Sequence, residues 1–471
     1  MGGRALLYDY ATATRAPLRS PMLPDPLRKA ILWASDAVWG PWTMALLLGT
    51  GLFLTVRLRF VQVVRFGEAA RGLVPPEAAG ARGALSPFQA FMTALAASIG
   101  TGNIAGVATA IVSGGPGALF WIWCYGFFAT AIKFTEAVLG IRYRRLGERL
   151  SAGPMHYLAD GLGLPRLGWV YALVAGVAAL TTTPFTQPNS IAVVLESQFG
   201  ISTLATGLGV AALTWLVVIG GVRSIGRAAE RLAPLKVGLY VAGGLYVIAT
   251  HAARLPETLS LVLTEAFSLR AAAGGGLGML VAMRYGIARG IYANEAGYGT
   301  AAVAYGSARS ERPVQQGLNA VMEVFIVSFV TSSISALAVL LTGTWRSGLT
   351  STAAVAAGFD AAIPGVGGAV VAFCAFLFGY TTLIGWAYYG EQFLEHVLGP
   401  RIVVPYRWVY CGLIAFGAVG QVETVWAWGD LMNGLQVFPN LVGLVGLSGV
   451  AAAILRGQER GDPGRGGAEG R

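Results

Sequence analysis

Charge is scarce in this chain. Asp, Glu, Lys and Arg make up 12% of its 471 residues, about half the share a soluble domain carries. So few charges cannot cover a globule of this length, which excludes an ordinary soluble protein. Cysteine and histidine are scarcer. Cys124, Cys374 and Cys411 are odd in number and scattered through apolar runs, so neither a disulfide framework nor a metal-ligand spacing is present. His156, His251 and His396 stand apart. No HExxH, no His–Asp–Ser constellation and no metal-ligand cluster occurs, which removes the footholds of an enzyme. A channel filter or charged ring is missing too. The first 30 residues contain no apolar stretch of the kind that marks a cleavable signal, and they read as a polar tail to about residue 31. Met22 is a second candidate start within it.

What remains is apolar. Hydrophobic residues make up 55% of the chain, with 66 glycines. Continuous runs fall at 32–56, 86–112, 116–141, 168–195, 203–221, 233–250, 273–298, 317–343, 367–395, 406–421 and 425–455. That predicts an all-α polytopic membrane protein of about 11 transmembrane helices. Helices are favoured over a barrel because the runs do not alternate. Trp33, Trp39, Trp42, Trp121 and Trp123 sit at run mouths, as interfacial belts require. The segment 256–268 is too short and acidic to span and reads as an external surface helix. The stretch 456–471 is rich in Gly and charge and reads as a disordered tail.

The net charge of +10 would suggest nucleic acid in a soluble protein. Here the basic residues lie between apolar runs and orient the chain instead. One set of alternate loops holds most of the 33 Lys and Arg, including Arg142, Arg144, Arg145, Arg223, Arg227, Arg231 and Lys236. Arg284 and Arg289 count with them. The opposite side holds Arg254, Arg270, Arg346 and the basic N-terminal tail. The positive-inside rule then puts the C-terminus in the cytoplasm and the N-terminus outside a plasma membrane.

One run is built poorly for a membrane helix. Ser86–Ser113 carries Ser98-Ile99-Gly100-Thr101-Gly102-Asn103 in its middle. Each glycine costs about 1 kcal/mol of helix propensity, and the polar side chains fall at a depth without water. Broken backbone there is tolerated only where protein or a cavity satisfies it, and a glycine-interrupted membrane helix points to a transporter's binding site. As a dinucleotide loop the GxGxxxG spacing is wrong, and no strand precedes it. Gly102 and Gly106 also form GxxxG, a helix-packing motif.

The segments GTGNIAGVATAIVSGGPGALFWIW (100–123), GGVRSIGRAAERLAP (220–234) and YGIARGIYANEAGYGTAAVA (285–304) resemble the signatures of the alanine or glycine:cation symporter family. TQPNSIA (186–192) and GYTTLIGWAYYGEQ (379–392) fit more loosely, and the similarity runs from about 32 to 455. Tyr305 stands where that family commonly has a histidine, and Pro188 interrupts a usually helical stretch. The resemblance implies a leucine-transporter-like fold of two inverted five-helix repeats, 86–250 and 273–421, with one extra N-terminal helix. It also implies a secondary symporter that imports alanine or glycine with Na⁺ across a lipid bilayer, as a monomer, with H⁺ as the alternative coupling ion.

The resemblance carries residue expectations. A substrate carboxylate would meet the Gly100, Thr101 and Gly102 amides at a half-helix N-terminus. Gln187 and Asn189 would face the substrate, with Tyr285, Gly286 and Trp386 as pocket walls. One Na⁺ would take the Ser98 carbonyl and the Asn103 side chain. A second would take carbonyls at Ala96, Ile99 and Phe378 with the hydroxyls of Thr381 and Thr382. Glu136 would hold the broken backbone of helices 86–112 and 273–298, or pair with Lys133 one turn away. Arg284 would sit near the break of the seventh helix, pairing with Glu136 or reaching the cytoplasm. That break is expected there, with Gly274-Gly275-Gly276 as the alternative, and Asn294 and Glu295 would lock an inner gate or cap a turn.

Overall fold

The computed structural model describes residues 24–73, 80–147, 149–269, 278–420 and 422–457, without the side chains of 422 and 423. The N-terminal tail before residue 24, the candidate start Met22, the Gly274–Gly276 stretch and the tail beyond 457 lie outside them. The described residues are mostly helical. In order come α1 (Asp25–Val38), α2 (Pro41–Arg57), α3 (Pro87–Ser98), α4 (Ala105–Gly114) and α5 (Ala118–Arg142). Then follow α6 (Pro165–Thr181), α7 (Thr183–Phe199), α8 (Thr203–Val218), α9 (Gly221–Thr250) and α10 (Leu255–Ala266). The second half has α11 (Gly278–Asn294), α12 (Thr300–Gly306), α13 (Pro313–Val324), α14 (Ser332–Thr342) and α15 (Ser351–Ala362). It ends with α16 (Gly367–Leu398), α17 (Val403–Val419), α18 (Val422–Gly446) and α19 (Ser448–Leu455). A two-stranded hairpin pairs Arg145–Leu146 with Leu150–Ser151.

Seven spans among the described residues are long and apolar enough to cross a membrane, and two more do so as bent pairs. α3 and the segment Thr101–Gly114 meet at 59°, and α18 and α19 at 54°. The apolar helix α8 and the broken pair α11–α12 occupy the two remaining expected runs. α1 starts inside the stretch expected as a tail, because Pro24-Asp25-Pro26 supplies a helix start with an acidic first turn. α3 starts on a capping box. Ser86 Oγ accepts from the Gln89 amide at 3.0 Å, while Gln89 Oε1 accepts from the Ser86 amide at 3.1 Å.

Two expectations about helix ends are corrected. The segment 222–232, expected as a loop between two runs, belongs to α9, which runs unbroken to Thr250. Lys236 is therefore no loop cation; it is fully buried mid-helix. The seventh helix is also unbroken around Arg284, Tyr285 and Gly286. Its glycines there serve packing: a Cβ on Gly286 would lie 2.4 Å from the Ala118 carbonyl oxygen, and one on Gly290 3.2 Å from the Tyr125 ring. The break comes later, at residues 295–299. Glu295, Gly297 and Gly299 all have positive φ there, which glycine adopts without strain.

α5, α13–α14 and α16 are largely enclosed by other helices, whereas α9 and α17 turn wide apolar faces outward. Leu235, Leu245, Tyr246, Val404, Trp408 and Phe416 lie on those faces, as a lipid-facing surface requires. Gly286→Ala is expected to lower the unfolding temperature of the purified protein, because backbone cannot move aside for the new methyl. Gly238→Ala, with nothing within 4 Å of the added Cβ, is expected to leave it unchanged or raise it, by about 1 kcal/mol of helix propensity. Equal unfolding temperatures in a thermal-shift assay would contradict the α5–α11 contact.

Candidate functional site

The two broken helices leave backbone groups that their own turns cannot satisfy, and the surrounding side chains supply the partners. At the first break, Lys236 Nζ donates to the carbonyls of Ala96 (3.0 Å) and Ile99 (2.6 Å) and to Thr381 Oγ1 (2.6 Å). Thr382 Oγ1 donates to the Ala97 carbonyl at 2.9 Å. Gln187 Oε1 accepts from both the amide and the hydroxyl of Thr101, at 3.0 Å each. Asn103 Nδ2 donates to the Ser98 carbonyl at 2.9 Å, and Ser335 Oγ donates to the Asn103 carbonyl at 2.6 Å.

At the second break, Glu136 Oε1 accepts from the amides of Gly297 (2.9 Å) and Gly299 (3.1 Å) and from Asn440 Nδ2 (2.8 Å). Its Oε2 is buried without a partner among the described residues. The carbonyls of Asn294, Ala296, Gly297 and Tyr298 accept from Lys133 Nζ, Tyr125, Asn440 and Tyr171, respectively. Asn294 Oδ1 accepts from the Ala296 amide at 3.0 Å, so it caps the turn.

A third set joins the breaks. Lys133 Nζ lies 2.5 Å from Glu323 Oε1, both fully buried. The same oxygen accepts from Ser98 Oγ at 2.8 Å, and Tyr305 donates to Glu323 Oε2 at 2.9 Å. Lys133 thus ties the end of α11 to the end of α3 through one carboxylate on α13.

Between the breaks lies a small cavity of about 20 Å³. Gly100, Gly102, Gln187, Thr382 and Trp386 line it, together with Thr182, Thr183, Tyr292, Glu295, Tyr298 and Asn433. Glu295 Oε1 accepts from Trp386 Nε1 at 2.7 Å, and Oε2 accepts from Thr300 Oγ1 at 3.1 Å. A Cβ on Gly102 would fall 2.7 Å from Tyr292, and one on Gly100 2.8 Å from Thr382 Oγ1. Both positions therefore keep backbone against the cavity. Above Tyr292, Arg289 pairs with Asp430 at 3.1 Å and lies 5.7 Å from the Trp426 ring centroid. Tyr292 and Trp426 are in ring contact at 5.2 Å.

Several expected positions lie elsewhere. Asn189 donates to the carbonyls of Gly417 (3.2 Å) and Gly420 (2.8 Å), which turns it toward the end of α17. Tyr285 packs near Gly114, and Gly286 packs on α5. Neither lines the cavity, because the helix break falls nearly three turns later than expected. Arg284 is exposed and pairs with Asp36 at 3.4 Å, not with Glu136. Lys133 bonds Glu323 rather than its neighbour Glu136. Glu136 bonds the second break only. Of the expected Na⁺ ligands, Ala96, Ile99 and Thr381 are the three acceptors of Lys236, and Phe378 supplies the carbonyl to which Thr381 donates at 3.1 Å.

Sequence reasoning does not single out Tyr292, Tyr298, Thr182, Thr183 or Asn433, and it makes Glu295 a gate residue rather than a cavity wall. Two signals are available in the chain. Glu323 and Lys236 are ionisable groups within apolar runs, and such groups mark functional interiors. Asn294-Glu295-Ala296-Gly297-Tyr298-Gly299 carries two glycines beside two polar residues, the same grammar that locates the first break.

Two breaks meet at this cavity, each with its loose backbone satisfied by protein, in a leucine-transporter-like fold. Among solved structures, a point mutant of the Eremococcus coleocola manganese transporter is similar in fold. Its TM-score is 0.52 at 16% identity, covering 78% of this chain and 85% of that one.

The sodium:alanine symporter family model matches residues 25–462, and the chain belongs to that family. It is 38% identical over 427 residues to the sodium/alanine symporter AgcS of Methanococcus maripaludis, covering 88% of this chain and 94% of the relative. It is 33% identical over 430 residues to the probable sodium/glutamine symporter GlnT of Bacillus subtilis, covering 91% and 90%. It is 32% identical over 453 residues to the putative sodium/proton-dependent alanine carrier protein YrbD of the same organism, covering 92% and 91%. The protein is thus a multi-pass membrane carrier of a Na⁺-coupled amino-acid symporter family, and not an enzyme.

Replacing Glu136 by Leu is expected to destabilise the fold, since each donor left unpartnered in the interior costs about 1–3 kcal/mol. Glu136→Gln, which keeps an acceptor oxygen, should fall between parent and Glu136→Leu in a thermal unfolding series. A Glu136→Leu protein as stable as the parent would mean that the second break does not depend on this carboxylate.

Proposed function

We propose that the protein imports alanine or glycine together with Na⁺ by alternating access. The observation that carries this reading is the pairing of opposite polarities across one small cavity. The Glu295 carboxylate faces it from the second break, and the Gly100–Gly102 backbone approaches it from the first, at the positive end of the half-helix. A zwitterion fits that pair, with its ammonium toward Glu295 and its carboxylate toward the glycines. Tyr292, Tyr298 and Trp386 leave little room for a side chain.

Loading requires the walls to move, because the cavity of about 20 Å³ holds about one water. The Arg289–Asp430 pair over Tyr292 is suited to open on one side. α3 and α11 would rock with their attached half-helices against the remaining scaffold. The repeats would then be 86–250 and 273–421. The basic loops support a cytoplasmic C-terminus.

For the ion, the Ser98 carbonyl and the Asn103 side chain remain the favoured ligands. Thr331 and Ser332 hydroxyls lie 3.4 and 3.5 Å from Asn103 Oδ1. A Na⁺ there would turn the Asn103 amide so that its oxygen replaces Nδ2 beside Ser98, since a hard cation takes oxygen. One observation favours proton coupling as a second reading: Glu136 Oε2 is buried with no partner among the described residues.

Uptake of labelled alanine into proteoliposomes tests the reading. An inward Na⁺ gradient should drive accumulation, and choline in its place should abolish it. Accumulation in choline under a proton gradient alone would favour the second reading. Unlabelled leucine should compete about 5- to 150-fold more weakly than alanine, since overpacking costs about 1–3 kcal/mol. Trp386→Ala should narrow that gap. Leucine competing as well as alanine in the parent would reject the small-substrate assignment. Gly102→Ala should lose alanine uptake in a protein that still folds, since its Cβ would lie 2.7 Å from the Tyr292 ring, where the backbone meets the cavity.

A further inference from the structure

A second cation site is built at the end of α3, and the chain itself fills it. α3 ends in carbonyls that its own turns cannot use, at the negative end of its dipole. The Ala96 and Ile99 carbonyls and the Thr381 hydroxyl converge on one point, and Thr382 and the Phe378 carbonyl stand next to it. Oxygens that converge on one point inside a membrane protein are the ligand type a hard cation takes, and Thr382 and the Phe378 carbonyl would add to these three. The point is held by Lys236 Nζ at 2.6–3.0 Å from all three. An ammonium has three donors and no acceptor, so each N–H has one partner and none is left over.

The contrast with Lys133 sharpens this. Lys133 has a carboxylate partner in Glu323. Lys236 is equally buried, yet its bonds go only to neutral oxygens, with the Phe378 ring at 5.4 Å as a further cation-stabilising face. A buried lysine without an anionic partner costs much unless its surroundings were shaped for positive charge. Here they were shaped by a helix break.

We propose that Lys236 is a tethered cation that permanently occupies the second ion site. The carrier therefore binds Na⁺ at the Ser98–Asn103 site alone and moves one Na⁺ per amino acid. This rests on the symport reading for its transport consequence, but not for the ion count. The ammonium is attached to α9, so it cannot leave with the substrate. It pins α3 to α9 and α16 in place of a dissociable ion, and opening on that side must break or carry those three bonds.

Equilibrium binding of radioactive sodium to the purified protein tests the proposal without substrate. The parent should bind no more than about one Na⁺ per chain, and Lys236→Met should gain about one, because the vacated oxygens then suit the ion. In proteoliposomes the Hill coefficient for Na⁺ in alanine uptake should be near one for the parent. Should Lys236→Met not fold, Thr381→Val decides. It removes an acceptor of the ammonium but no Na⁺ ligand, so the Na⁺ concentration for half-maximal binding should stay within about twofold of the parent. Two Na⁺ per parent chain, no added Na⁺ in a folded Lys236→Met protein, or a tenfold loss of Na⁺ affinity in Thr381→Val would each overturn it. A parent that binds one Na⁺ but accumulates no alanine would instead reject the symport reading and leave the ion count standing.

Discussion

Everything at the centre of this protein answers one constraint: backbone that leaves the helix at membrane depth must find its partners within the protein. Two helices break there, and each break exposes amides and carbonyls together. The amides at 297 and 299 converge on one carboxylate oxygen, Glu136 Oε1. The carbonyls at 96 and 99 converge on one ammonium, Lys236 Nζ. The sign of each buried charge thus matches the polarity of the backbone it serves. Replacing either by an apolar group would strand several backbone groups at once, which is why each charge is tolerated despite its desolvation cost.

The Lys133–Glu323 pair adds a different element. It connects the two breaks, through Ser98 on one side and the Asn294 carbonyl on the other. A displacement of either helix end must therefore disturb the other. That gives a physical route by which an ion bound near Ser98 and Asn103 would be felt at Glu295, which sits one residue beyond Asn294 on the cavity wall. Packing supplies the stiffness needed for such a link. Gly140, Gly286 and Gly385 each allow backbone-close contact between helices, so the bundle has little slack for independent movement.

The fold class was legible because a continuous apolar run has few alternatives in lipid. The first break was legible as well, since Gly100 and Gly102 with three polar neighbours cannot make a good span. The second was displaced because Arg284 within an apolar run looks like an interruption. Arg284 is instead exposed beside Asp36, and Gly286 and Gly290 make room for α5. Only the contact surface distinguishes a packing glycine from a breaking one. Lys236 misleads for a similar reason: next to Arg223, Arg227 and Arg231 it extends a basic loop in one dimension. Along α9 it lies a few turns deeper, inside the bundle.

The sequence by itself determined a helical membrane carrier, the family to which it belongs, and the place of the first break. These follow from composition, run length and residue types that local backbone energetics cannot accommodate otherwise. Tertiary structure decided which polar groups meet. Asn189 faces α17 while Gln187, two residues away, reaches the Thr101 amide, and a helix rotates neighbours by about 100° per residue. That Lys236 reaches Thr381 and the Ala96 carbonyl was decided by helix packing. The partner approaches from α9, more than a hundred residues away in the chain, and no local pattern records that distance.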